Sequence, residues 1–183
     1  MDESALLWEN FGEDASVELP ILSLAAFAAG DLQRALGWAR KSSAGYKRLN
    51  FRGAIAMCQA YVAAYSFSAG DIDGASDAAR EALIIARRVH ATKLVPLGLQ
   101  YIARVAALRG DVRRAARLLG ASDVQHGAIG WMHELREQSG YELTLAILRE
   151  ALKDDPGELA VLMNEGRAWS LEQAADEALL VQS

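Results

Sequence analysis

The sequence predicts an all-α fold in which helical hairpins stack side by side, and three observations carry that prediction. Gly-Asp pairs stand at Gly30-Asp31, Gly70-Asp71 and Gly110-Asp111, spaced by 40 residues each time. Matching columns of apolar and small residues flank each pair. The chain has only 3 prolines in 183 residues, and 52% of its residues are apolar, which favours packed helix over disorder.

The columns can be followed outward from each glycine. Two positions after it come Leu32, Ile72 and Val112; five after come Ala35, Ala75 and Ala115; nine after come Ala39, Ala79 and Leu119; twelve after come Ser42, Ala82 and Ser122. Steps of three and four residues trace one face of a helix. Upstream, Leu22, Val62 and Ile102 form an apolar column, followed by the small column Ser23, Ala63 and Ala103. Small residues on both helices of a hairpin let the axes come close. The dipeptide itself supplies the turn: glycine accepts the left-handed conformation that ends one helix, and aspartate caps the free amides of the next. Such a unit cannot bury its apolar face alone and stacks on its neighbours.

These signals place helices over 3–11, 15–29, 31–44, 49–69, 71–90, 94–109, 111–127, 133–152, 156–165 and 170–181. Continuing the period backwards puts an earlier Gly-Asp before residue 1, so the first helix reads as the tail of a cut unit. The expectation is a fragment or remnant of a longer array; the alternative is an N-terminal cap helix around Ser4 to Asn10. The next six helices pair into three hairpins. Toward the end, Asp155-Pro156 is a cap followed by proline at the first helical position, Gly166 is read as a helix stop, and Ser170 with Gln173 forms a capping box. The last three helices leave the 40-residue columns and read as a terminal cap, with Trp131, Tyr141 and Trp169 as packing anchors. Residues 1–127 thus hold the three hairpins with the truncated unit before them, and residues 128–183 hold the capping helices of the same domain.

The columns resemble the tetratricopeptide repeat. Leu22, Ser23, Gly30, Ala35 and Ser42 fit the family's pattern, as do Val62, Ala63, Gly70, Ala75 and Ala82, and Ile102, Ala103, Gly110, Ala115 and Ser122. Two features depart from it: Leu19, Gln59 and Leu99 stand where an aromatic is usual, and the proline after the second helix is missing. The period is also longer than the family's common value of about 34 residues. The C-terminal stretches GDVRRAARLLGASDVQHGAIGW, YELTLAILREAL and NEGRAWSLEQAADEAL are similar to the C-terminal helical region of bacterial multidomain signal-transduction ATPases, often paired with LuxR-type DNA-binding domains. The resemblance implies a tetratricopeptide-like solenoid, coiled as a right-handed superhelix, from a bacterial transcriptional or signalling regulator. No Gly-x-x-x-x-Gly-Lys-Ser/Thr loop and no helix-turn-helix reader is evident, so the ATPase and DNA-binding activities do not carry over.

Charge is distributed unevenly along the chain. Residues 1–30 carry a net −6, residues 31–117 a net +9 and residues 118–183 a net −8, within an overall −5. The basic middle includes Arg34, Arg40, Lys41, Lys47, Arg48 and Arg52, then Arg87, Arg88, Arg113, Arg114 and Arg117. One reading is solvated faces partly compensated by the acidic ends. The sharper one is electrostatic docking of an acidic partner or neighbouring domain. Overall acidity, with no basic helix interleaved with aromatics, disfavours direct nucleic-acid binding.

Chemistry finds little foothold. His90, His126 and His133 lack metal-ligand spacing, Asp154 and Asp155 read as a helix cap, and the single cysteine, Cys58, reads as a buried structural thiol. The chain is therefore read as no enzyme, with no cofactor. The most apolar stretch, Leu19 to Ala29, is too short to span a membrane, and the acidic start lacks the basic region of a secretory signal, so a cytoplasmic location is expected.

In tetratricopeptide arrays the first helix of each hairpin lines the concave side. The resemblance therefore marks positions thirteen, ten, six and three before each glycine, and among them Phe27, Met57, Phe67, Leu97, Gln100 and Arg104 are the candidate binding residues. A mostly apolar face suits a hydrophobic peptide, a docked helix or a homo-oligomer; the alternative is that these residues are core. The expected function is a non-catalytic protein-protein interaction or sensor module, joined to a protein or peptide partner or to adjacent domains of a larger regulator. The alternative is a helical ligand-binding domain that takes a small molecule or signalling peptide in its groove.

Overall fold

The computed structural model describes residues 18–128 and 135–180, and among these residues the chain forms nine helices and no strand. They are α1 (Leu19–Ala28), α2 (Leu32–Arg48), α3 (Arg52–Ser68), α4 (Ile72–Arg88), α5 (Val95–Leu108), α6 (Val112–Ala128), α7 (Leu135–Ala151), α8 (Pro156–Arg167) and α9 (Leu171–Leu179). The fold is all-α, as the periodicity requires. The helix expected over 3–11 and the anchor Trp131 lie outside the described residues.

The Gly-Asp pairs do the two jobs their chemistry allows. Gly30, Gly70 and Gly110 have φ of 80°, 77° and 84°, in the left-handed region. The amides of Asp31, Asp71 and Asp111 reach back to the carbonyls of Ala26, Ser66 and Ala106, each at 2.9 Å, which closes a Schellman turn. The same aspartates then cap the next helix, accepting from the backbone amides of Arg34 at 3.0 Å, Gly74 at 2.8 Å and Arg114 at 3.4 Å.

A second set of turns has the same geometry without glycine. Asn50, between α2 and α3, has φ 54°, and His90, between α4 and α5, has φ 53°. The amides of Phe51 and Ala91 close these turns onto Tyr46 and Ala86 at 3.0 and 2.9 Å. This corrects the expected end of the second hairpin helix at residue 44: Gly45 is buried inside α2, which runs on to Arg48 until Asn50 turns the chain. The expected stop at Gly166 is also corrected. That glycine lies within α8 and is buried, because it meets the backbone of α6.

The small-residue columns account for the tight packing. Ala35, Ala75 and Ala115, and likewise Ser23, Ala63 and Ala103, have no solvent exposure. Each helix from α1 to α6 packs against the next, and α3 also touches α5. The C-terminal helices wrap the last hairpin: α8 lies on α6, α9 crosses α4, α5 and α6, and α7 lies against α5. That makes α5 the central helix. It is buried from Val95 to Ala107 with one exception, the half-buried Arg104.

The acidic C-terminal segment meets the basic middle at these contacts. Arg87 bridges Glu172 at 2.7 Å and Asp176 at 2.6 Å, Arg117 pairs with Glu165 at 2.6 Å, and Arg113 pairs with Glu158 at 2.8 Å. Arg80 donates to the Leu179 carbonyl at 2.8 Å, and Arg114 donates to the carbonyls of Glu177 at 2.8 Å and Leu180 at 3.0 Å. Two guanidiniums thus satisfy the open end of α9, where the helix dipole also favours positive charge. Much of the charge asymmetry is consumed inside the chain.

Candidate binding groove

An aromatic ladder forms where α1, α3 and α5 come together. Phe27 of α1 stacks on Tyr65 of α3 with ring centroids 4.7 Å apart, and Tyr65 lies 6.2 Å from Tyr61. Tyr65 is fully buried, and its hydroxyl sits 3.4 Å from Ser23 Oγ, which itself donates to the Pro20 carbonyl at 2.7 Å. Further along α3, Phe67 meets Tyr101 of α5 at 5.9 Å, and the Arg104 guanidinium of α5 stands 4.3 Å above the Phe67 ring. Such a cation over an aromatic face is held by the ring quadrupole. Burial lowers the Arg104 pKa from its usual value, yet the guanidinium stays charged at neutral pH.

Helix α7 supplies the opposite wall. Its Gly140 comes so near that an added β-carbon would lie 3.4 Å from Arg104 Nη1, while Thr144 Oγ1, fully buried, donates to the Gly140 carbonyl at 2.8 Å. Between the walls lies a groove of about 440 Å³, lined by Phe27, Ala28, Ala64, Ser68, Tyr101, Arg104, Ser139, Gly140 and Leu143. Leu143 stands at its rim, 54% exposed.

Of the residues singled out from sequence, Phe27 and Arg104 come together in this groove, and Phe67 lies beneath Arg104. The other three do not line it. Leu97 and Gln100 are buried in the core, and Met57 is half-buried near the start of α3. Tyr101 and the α7 residues were missed. Tyr101 had a legible signal, since Tyr61 and Tyr101 share the column nine residues before the glycine. The α7 wall had none, because that helix lies outside the repeat.

Other features are tied up structurally. Cys58 is fully buried, its thiol donates to Ser42 Oγ at 3.4 Å, and burial pushes its pKa up. A second cavity, of about 280 Å³, is lined by Arg80, Arg109 and Arg114 together with Asp77 and Asp111. Two of those arginines already donate to the end of α9. Among the described residues, no group of three or more His, Cys, Asp or Glu could hold a metal ion, and no helix is long and apolar enough to cross a membrane. Comparison with protein families, with curated proteins and with solved structures finds no match to this chain.

Proposed function

We propose that this chain is a non-catalytic recognition module of the sensor type: a tetratricopeptide-like solenoid, coiled as a right-handed superhelix, from the C-terminal repeat region of a bacterial signalling or transcriptional regulator. The regulator assignment rests on the resemblance of residues 110–179 and on the Gly-Asp period. One observation carries the sensing reading. Phe27 and Arg104, from different hairpins, line one groove that α7 narrows to about 440 Å³.

That size separates the two expected modes of use. A docked helix needs a channel about 10 Å wide along several turns. A pocket within the range of about 300–1,000 Å³ suits a small molecule, held by apolar walls and a few oriented polar groups. With α7 standing opposite α5, the groove takes a small ligand rather than a long partner helix, and occupancy would be passed to attached domains through α7.

A fragment library screened by amide chemical shifts tests this reading. Hits should cluster their perturbations on Ala28, Ala64, Ser68 and Gly140 and should raise the melting temperature. A library that perturbs only other surfaces would remove the groove as the recognition site.

A further inference from the structure

Arg104 is the only charged residue of α5, and it sits in the middle of the most enclosed helix of the fold. Taking a guanidinium partly out of water is costly unless an anion or an aromatic face compensates it. Phe67 covers one side. Among the described residues no carboxylate pairs with Arg104, whereas Arg109, Arg113 and Arg117 of the same hairpin each hold an acid at 2.6 to 2.8 Å. The side of Arg104 that Phe67 leaves open faces the groove, next to Gly140, where the missing side chain keeps the space free.

We propose that the groove binds a small amphipathic carboxylate, its anionic end on Arg104 and its apolar body between Phe27, Tyr101 and Leu143. This deepens the sensing reading above and rests on it. The guanidinium fork matches a carboxylate with two parallel N–H donors. A phosphate dianion fits less well, because among the described residues Arg104 is the only cation on the groove wall and would leave one negative charge unbalanced. The aromatic and aliphatic remainder of the wall calls for a ligand that is mostly apolar. The exposed Leu143 at the rim then becomes covered when the site is filled.

Phenylbutyrate and the matched neutral phenylbutanol serve as probes in amide-shift titrations of the full chain. The acid should saturate the groove amides at a concentration about tenfold lower than the alcohol. Arg104→Met should abolish that preference while leaving alcohol binding in place. On the unaltered chain, raising salt from about 0.05 to about 0.5 M should weaken the acid alone, which tests the charge contact even if the variant folds poorly. Equal affinity of acid and alcohol, or a preference that survives Arg104→Met, overturns the carboxylate assignment and leaves the groove as a neutral site. If neither probe moves the groove amides, the sensing reading fails with it.

Discussion

Gly166 of α8 rests on the backbone of Arg117 in α6 so closely that a β-carbon added to it would fall within the Arg117 carbonyl. Gly120 of α6 meets the Met163 backbone of α8 in the same way. Only residues without a β-carbon let two helix backbones touch like this. The ion pairs Arg113–Glu158, Arg117–Glu165 and Asp123–Arg167 flank the crossing and ascend along both helices. What seals the last hairpin is therefore a glycine-on-backbone contact edged with charge.

Replacing either glycine of this crossing by alanine should be destabilising, by about 3 kcal/mol, because both backbones would have to move apart. Gly37 sits in the exposed interior of α2 with nothing within 4 Å of an added β-carbon. Gly37→Ala should therefore stabilise, by about 0.8 kcal/mol, through helix propensity alone. Thermal melts of the three variants provide the check, and melting points that fall equally would refute the packing account.

Asn50 and His90 hold left-handed backbone that glycine adopts without strain. Asn50→Gly and His90→Gly should each raise stability, by about 1 kcal/mol for His90 and less for Asn50, whose side chain also accepts from Arg52 Nε at 3.3 Å. The converse change, Gly70→Ala, should cost about 1 kcal/mol. Urea unfolding midpoints at constant slope measure all three.

These turns also mark where the sequence was readable. The Gly-Asp pairs announced their geometry because glycine and aspartate are chemically specialised for it. Asn50 and His90 recur at the same period of 40 but share no residue type, so the sequence shows no column there and its expected end for α2, at residue 44, falls short of Arg48. Gly166 is ambiguous in the sequence for a related reason. A helix stop and a close helix crossing both select glycine, and only the position of α6 separates them. In the groove, Phe27 and Arg104 stand in the columns that the tetratricopeptide resemblance marks, whereas Ser139, Gly140 and Leu143 belong to a helix with no internal copy to compare.

Cys58 should be nearly inert in the folded chain. With its thiol fully enclosed and its pKa raised by burial, little thiolate forms and no reagent reaches it. Labelling by a chromogenic aryl disulfide should therefore proceed only as fast as the hairpins α1–α2 and α3–α4 open, and should accelerate in step with added urea. Rapid labelling without denaturant would show that this part of the core opens independently.

Tyr141 on α7 ties that helix to α6 by donating its hydroxyl to Asp123 Oδ2 at 3.3 Å. Burial first, then the charge of Asp123 and this hydrogen bond, push its pKa up to about 12 against the lowering influence of Arg167 and Arg149. The folded chain therefore keeps the phenol proton at pH values where the unfolded chain, near the usual value of about 10, releases it. The resulting contribution to stability is fully present below pH 10 and is lost as pH rises toward about 12. Tyr141→Phe removes that titration, and it leaves Asp123 paired with Arg167 at 3.0 Å, so the variant should lose only about 1 kcal/mol at neutral pH. Melting temperatures measured from pH 8 to 12 should then fall more steeply for the parent than for Tyr141→Phe, and the gap between them should close with rising pH. The remaining tyrosines, Tyr46 among them with its own raised pKa, are common to both proteins and cancel in the difference. Parallel curves would mean that α7 is not fastened through this hydroxyl, and the wall of the groove would have to be held by Thr144 and Leu148, which are fully buried on the same helix.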